Sequence, residues 1–518
     1  MTSFNQILHI LRKDVRHLFP EITVSISLVA LFTWVAPAGW PEYINRMSYP
    51  GAQFGAPQIM GGLLHALIPI SWLVLISRSV HDESLVGDKQ FWVTRPYTWY
   101  SLLSAKLLFI LGFICVPLLA AQIFLVHYAG LPILATLPAL LLNIGAISIL
   151  FLLPFLVLAS VTTSFGPLIL LVLGGVLYIG VVGLVATYLS GAHTAPPNGA
   201  IVAFTLLTLI LIGTLLYQYI ERRTGLTQIV VLATPIFLAA VFLVFPVGPL
   251  FLRAYPAAGD VSAKLDLDPM KQQPTSGDLL HVGNNDVLSL PIEAASGSAT
   301  TLLFGQAAQL ELTSSSGFHW NSPWQSFSSI VTGGQSTQVN LIVPRTVVDR
   351  IGTETVKLQL TLALNRLQLD TPVNFKLSEA DQAIPGGGVC SLVGEIGFAA
   401  PVCRNAMQAP LSFIETQAQD MPCGVEAPDA APRAARTSMP AQHSPFAFDP
   451  VNAQSWRLSV AGDPPEGAHM HTICAGAPVK LTPTHEAGGV RVLVEQTGIE
   501  LTSYLRHKAS FSPAPGPR

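Results

Sequence analysis

Two parts of this 518-residue chain concentrate side chains with chemistry to offer: a set of cysteines in its second half, and a run of mixed charge and aromatics between Arg78 and Lys106. Cys390, Cys403, Cys423 and Cys474 all lie in the polar half, whereas Cys115 lies in an apolar stretch. An even number of thiols in a region outside the cytoplasm suits two disulfides, with three connectivities open. Zinc ligands come in close C-x₂₋₄-C pairs, and these spacings are wider. His469-Met470-His471 with Cys474 has the soft donors that suit copper or zinc, but a strand or loop bearing one disulfide cysteine is the better account, and no metal site is expected. Phe318, Trp320 and Trp324 could form an aromatic platform for a sugar or peptide, or simply pack beneath a loop against a sheet. No G-x-S-x-G, H-E-x-x-H or dinucleotide-binding glycine pattern occurs, so no catalytic residues are expected.

The elements that must carry these residues follow from composition. Half the residues are hydrophobic and 11% are charged, against about 25% charged in a soluble domain. A net charge of −3 argues against a nucleic-acid binder. The average hides two unlike halves. Residues 1–253 hold 11 of the 27 basic and 7 of the 30 acidic residues, a balance of +4, and the remainder has a balance of −7.

Seven apolar runs are long enough to cross a bilayer as helices: 22–38, 59–77, 107–127, 132–160, 166–189, 200–220 and 228–252. The first is not expected to be a cleaved signal, because it lacks a small-residue cleavage site and further spans follow. Prolines inside three runs (Pro69; Pro138 and Pro154; Pro235 and Pro246) leave six spans as the alternative, through kinks or re-entrant turns. With the N-terminus inside, Arg12, Lys13, Arg16, Arg78, Lys89, Arg95, Lys106, Arg222 and Arg223 face the cytoplasm, and only Arg46 and Arg253 fall outside. That positive-inside bias places everything after residue 253 outside the cytoplasm. Ahead of the first span, Phe4, Ile7, Leu8, Leu11, Val15 and Leu18 recur at three- and four-residue steps, which predicts an amphipathic interfacial helix over 1–20.

The segment between the second and third runs mixes charge with aromatic and aliphatic residues, so it can lie along the membrane and offer a surface to a cytoplasmic partner. Glu83 and Gly87 after a span, then Trp92-x-Thr94-Arg95-Pro96, then Leu102-Leu103-x-Ala105-Lys106 opening the next span, resemble the ABC type-2 transporter permeases. The resemblance covers about residues 1–225, and the family's N-terminal elbow helix is similar to residues 3–19. It implies that the loop containing Glu83, Gly87, Trp92, Thr94, Arg95, Pro96 and Lys106 couples the membrane helices to an ATPase subunit. Physically, Arg95 and Lys106 could meet headgroups or a partner carboxylate, Glu83 could pair with a basic group, and Pro96 would reorient the chain. A seventh span and a large polar region depart from the family's six-span core.

No G-x-x-x-x-G-K-[ST] loop occurs, so ATP and Mg are expected on a partner ATPase, with no cofactor bound by this chain. The spans are poor in ionisable residues, His65 apart, which disfavours an ion-coupled carrier.

The polar half reads as a linker at 254–285, a β-sandwich-like domain at 286–380, an irregular cysteine-containing segment at 381–450, further strands or a small module at 451–510, and a disordered tail at 511–518. Its clearest strand is 356–364, where Val356, Leu358, Leu360, Leu362 and Leu364 alternate with other residues. Weaker strands are expected at 287–293, 308–313, 338–343, 455–461 and 489–495.

The fold class expected is a polytopic α-helical membrane domain over 21–253 plus a C-terminal all-β, sandwich-like domain. The function expected is a permease subunit, an exporter without an enzymatic site of its own, in a bacterial inner membrane. Its partners would be a cytoplasmic ABC ATPase, a second copy or a paired permease, and membrane lipids. The alternative is a membrane-anchored extracytoplasmic binding or sensor protein, and an intramembrane enzyme is the weakest reading.

Overall fold

The computed structural model describes residues 3–48, 56–82, 98–190, 197–221, 224–244, 252–257, 259–266, 281–282, 285–296, 298, 300–327, 329–331, 337–376, 380–384, 388–395, 398–406, 414–418, 448–455 and 478–505. Two compact units emerge. One is built from Met1–Val176, Thr205–Leu238 and Asp370–Thr484, the other from Leu177–Phe204, Ala239–Leu369 and His485–Arg518.

In the first unit, α1 covers Ser3–His17 and α2 Phe19–Ser48. Helices α3 (Ala56–His81), α4 (Trp99–Tyr128) and α5 (Ile133–Val161) follow. Beyond them, α6 (Phe165–Ser190), α7 (Pro197–Glu221) and α8 (Thr224–Val244) are each divided between the two units. Five segments are long and apolar enough to cross a membrane: Phe19–Ala38, Ile59–His81, Trp99–Tyr128, Ile133–Val161 and Phe204–Glu221. The protein is therefore membrane-embedded. Two of the seven expected spans, the fifth and the last, contribute only shorter apolar helices, Phe165–Tyr178 and Thr224–Leu238, among the described residues.

Among the described residues, the prolines weighed as kinks or re-entrant turns do not interrupt the helices, and Pro246 lies outside the described residues. Pro69, Pro138 and Pro235 lie inside continuous α3, α5 and α8. Pro117 and Pro154 each follow a five-residue π-helical turn, Leu111–Cys115 in α4 and Ser148–Leu152 in α5. A proline has no N–H for the helical ladder, and its ring collides with the carbonyl four residues back. Widening the preceding turn to the i→i+5 pattern relieves both and lets the helix go on. The two widened turns meet, with Cys115 Sγ 3.6 Å from Ser148 Oγ.

Strands also belong to this unit, beginning with β10 (Val373–Lys376). The stretch 381–450, expected to be irregular, contains β11 (Gln382–Ile384), β12 (Gly388–Glu395), β13 (Phe398–Ala406) and β14 (Ile414–Ala418). With β15 (Val451–Ser455), three of these make an antiparallel sheet in the order β11-β12-β13-β15. Val389, Ala406 and Val451 of this sheet, with Phe448 shortly before β15, join the same apolar core as the helices. Alanine, glycine and proline give this stretch a weak strand propensity, and packing against apolar helices supplies what propensity does not.

The second unit is β-rich. Strand β3 (Asn285–Ser296) pairs antiparallel with β8 (Thr337–Pro344) on one side, and with β1 (Val261–Leu265) and β2 (His281–Val282) on the other. The expected linker thus contributes an edge strand, β1. Strand β4 (Thr301–Ser314) runs antiparallel to β9 (Thr355–Leu369) from Thr301↔Gln368 to Ser314↔Val356, and β5 (His319–Asn321), β6 (Gln325–Ser326) and β7 (Ile330–Val331) flank its other edge. Leu288, Leu290 and Ile292 of β3, Leu310 and Leu312 of β4, and Leu358, Leu360, Leu362 and Leu364 of β9 share one core, joined by Val490, Val492 and Val494. The period-two alternation of β9 has the physical origin the sequence suggested: one face of the strand is buried, and Lys357 on the other is exposed.

The register of β4 shifts between Gly305 and Ala307, the mark of a bulge. The ring of Phe327 occupies the space that a Cβ on Gly305 would need. Gly305→Ala is expected to cost about 1–3 kcal/mol through overpacking. A lowered unfolding midpoint with unchanged far-ultraviolet circular dichroism checks it, and an unshifted midpoint would contradict it.

Candidate functional site

The helix pattern of α1 buries one stripe, in which Ile10, Asp14 and Leu18 are buried at four-residue steps and Ile7, Leu11 and Val15 pack beside them. Phe4 and Leu8, also on the expected apolar face, are not covered by the other helices. A carboxylate in the middle of a buried stripe requires a partner. It has one: Lys106 Nζ lies 2.7 Å from Asp14 Oδ2 and donates a second bond to the Ser79 carbonyl oxygen at 2.6 Å. The side chains of Lys106 and Asp14 are 1% and 3% exposed, so the pair is fully internal. The residue that the sequence left facing headgroups or a partner's carboxylate is turned inward, and it clasps α1, the end of α3 and the start of α4 together.

Around this clasp the same end of the bundle is tied by polar contacts. Arg78 of α3 pairs with Glu21 of α2. His17 of α1 is 3.2 Å from Asp82. His81 Nε2 is 3.1 Å from Thr162 Oγ1, just past α5, and Gln228 Nε2 of α8 donates to the Val161 carbonyl at 2.9 Å. Ser3 Oγ and Tyr100 OH are 3.2 Å apart, and Thr98 Oγ1 and Ser101 Oγ 2.8 Å. Leu102, Leu103 and Ala105, which carried part of the family resemblance, are buried in the helical core. Both ends of the segment between α3 and α4, Asp82 and Thr98, therefore leave from a braced platform. Glu83, Gly87, Trp92, Thr94, Arg95 and Pro96 lie outside the described residues.

The opposite ends of the same helices hold a second arrangement. Phe448 meets Trp72 edge-on at 5.5 Å and Phe32 at 6.3 Å, with the His65 ring 5.4 Å away. Its carbonyl accepts a bond from Gln122 Nε2 at 3.3 Å. Next to it, Asp449 Oδ2 accepts a bond from the Trp40 indole at 2.8 Å, while Oδ1 accepts the Val451 amide at 2.9 Å. Desolvation raises the Asp449 carboxyl above its ordinary range, opposed by the Trp40 and Val451 bonds and by the charge of His65.

No family model, curated protein or solved structure matches this chain.

The remaining sequence candidates separate. Trp324 is 8% exposed and packs with Ala307, Ala363, Leu252 and Tyr255, whereas Phe318 and Trp320 pack against the larger β core and Phe318 lies 4.5 Å beneath the Arg350 guanidinium. Trp324 thus belongs to a small buried cluster of its own, and Phe318 and Trp320 to the edge of the larger one. Cys390 and Cys403 are register partners in β12 and β13, and Cys423 and Cys474 lie outside the described residues, as do His469, Met470 and His471. Among the described residues no cluster of histidine, cysteine and acidic groups could hold a metal. The sequence reading missed Asp14, Ser79, Trp40 and the pair Phe448–Asp449. The signal for Asp14 was present: it replaces an apolar residue between Ile10 and Leu18.

Proposed function

We propose that this chain is the permease subunit of an ATP-driven exporter, moved by a separate cytoplasmic ATPase that acts on the segment between α3 and α4. The observation that carries this reading is the buried clasp of Lys106, Asp14 and the Ser79 carbonyl. A segment that receives a push transmits it only if its roots are stiff, and the clasp joins both roots to α1. A charged pair withdrawn from water is weak support for stability but well suited to holding one arrangement of elements. In this reading α6 and α8 complete seven spans, the N-terminus is cytoplasmic, the sheets of the second unit form a sandwich outside the cytoplasm, and the membrane is a bacterial inner membrane. ATP and Mg belong to the ATPase, and a second copy or a related chain completes the path.

A second reading, a membrane-anchored extracytoplasmic binding or sensor protein, draws on one observation: Phe448 and Asp449 couple a strand-bearing segment directly to α2, α3 and α4.

A pull-down from mild-detergent membranes, comparing the native chain with Glu83→Ala/Arg95→Ala, tests the first reading. An ATPase should co-purify with the native chain and be lost from the variant. Retention of none, under conditions that preserve a known permease complex, would overturn the permease reading and leave the second.

A further inference from the structure

Strands β12 and β13 are antiparallel from Val389↔Arg404 to Glu395↔Phe398, and Cys390 stands directly opposite Cys403. Residues directly opposite in an antiparallel pair have Cα atoms about 4.5 or 5.5 Å apart, and disulfides span Cα separations of about 4.4–6.8 Å. Both kinds of opposed site fall inside that range. Opposed residues also share one face of the sheet.

The register is tightly specified. Gly388 has φ +81°, and a Cβ there would overlap the Arg404 carbonyl and the Asn405 side-chain oxygen. Only glycine lets β12 approach β13 so closely at that point. Val389 and Ala406 belong to the apolar core formed with the helices. A one-residue slip would carry Val389 to the other face. Alternation puts Cys390 on the face opposite Val389, and Cys403 on the face opposite Arg404 and Ala406. By register, positions 390 and 403 thus belong to one face of the sheet. Both strands are interior to their sheet, with β11 beyond β12 and β15 beyond β13.

We propose that Cys390 and Cys403 form a cross-strand disulfide that fixes the sheet docked on the membrane helices. Of the three connectivities the sequence leaves open, this selects one. The two thiols give up two protons and two electrons as the S–S bond forms. The electrons pass by thiol–disulfide exchange to a protein disulfide oxidant, which is left as its dithiol. The in-cell state rests on the orientation given under the proposed function. The pairing itself rests on the register alone.

The test uses the full-length protein in mild detergent in two arms. In one, free thiols are blocked with N-ethylmaleimide at lysis. In the other, the protein is first equilibrated with oxidised glutathione. Trypsin with a glutamate-specific protease separates 380–395 from 396–404, so each cysteine lies on its own peptide. Mass spectrometry without reductant should find these two peptides linked in both arms, and the species should vanish on reduction. Linkage in the glutathione arm only would uphold the pairing and overturn the orientation. Linkage of either cysteine to Cys423 or Cys474, or free thiols in both arms, would overturn the pairing. ATPase co-purification is read separately, so failure of the pairing and failure of the permease reading are distinguishable.

Discussion

Replacing Lys106 with methionine is expected to destabilise the helical unit by about 3–5 kcal/mol, the cost of leaving one member of a buried ion pair without its partner. The substitution keeps a long unbranched stem at a site only 1% exposed, so the loss reports the charge and not a cavity. Asp14 would be left with an uncompensated carboxylate at 3% exposure, and the Ser79 carbonyl would lose a donor. Removing both charges, as Lys106→Met/Asp14→Leu, should recover most or all of the stability, because an apolar pair of similar volume has no desolvation to offset. Unfolding midpoints of the two single variants and the double variant in detergent measure this as a double-mutant cycle. A double variant no better than Lys106→Met alone would show that the clasp is not a two-body charge pair. If the proposed function holds, the double variant should fold yet release the ATPase more readily, since the roots of α3 and α4 lose their common anchor.

Phe448→Ala should release the docked segment, at a cost of about 3–5 kcal/mol for deleting a buried phenyl ring. The ring is 4% exposed and fills the space between Phe32, His65 and Trp72. The effect should be local: amides of β13 and β15 should exchange faster, while those at the Lys106 end of α4 should not. Asp449 adds a pH dependence with a defined sign. Its carboxyl is raised by desolvation, so the docked state binds a proton more readily than the released state. Docking is then strongest below the ordinary carboxylate range and weakens as pH rises through the raised value. Asp449→Asn keeps an oxygen for the Trp40 indole and should flatten that dependence. Hydrogen exchange of β15 across mildly acidic to neutral pH checks it, and tighter docking at higher pH would contradict the assignment.

What the sequence revealed and what it hid divide along physical lines. Long apolar runs and the alternation of 356–364 were legible because burial on one face writes a period directly into residue order. The strands of 382–406 were not, because their residues owe their conformation to partners far away in the chain. The same holds for the site. Glu83 to Pro96 attracted notice as a motif, whereas the clasp joins residues 92 and 27 positions apart, which no local pattern reports. Lys106 read as one more cytoplasmic cation because charge at the end of an apolar run normally seeks water. The contradicting clue, Asp14 within an apolar stripe, lay on another helix. Trp40 and Asp449 are separated by 409 residues, beyond any spacing argument.

The widened turns ahead of Pro117 and Pro154 bear on how the two ends of the helical unit are aimed. Each inserts one residue into the helical count, and so rotates all that follows by about 100° about the helix axis relative to an unbroken α-helix. In α4 the insertion falls between Lys106, which faces the clasp, and Gln122, which faces Phe448. The helix thus acts as a phase shifter. Its first half is angled toward α1 and the loop platform, and its second half toward the docked strands. A single rod can in this way serve two partners whose directions an uninterrupted 3.6-residue repeat would not reconcile.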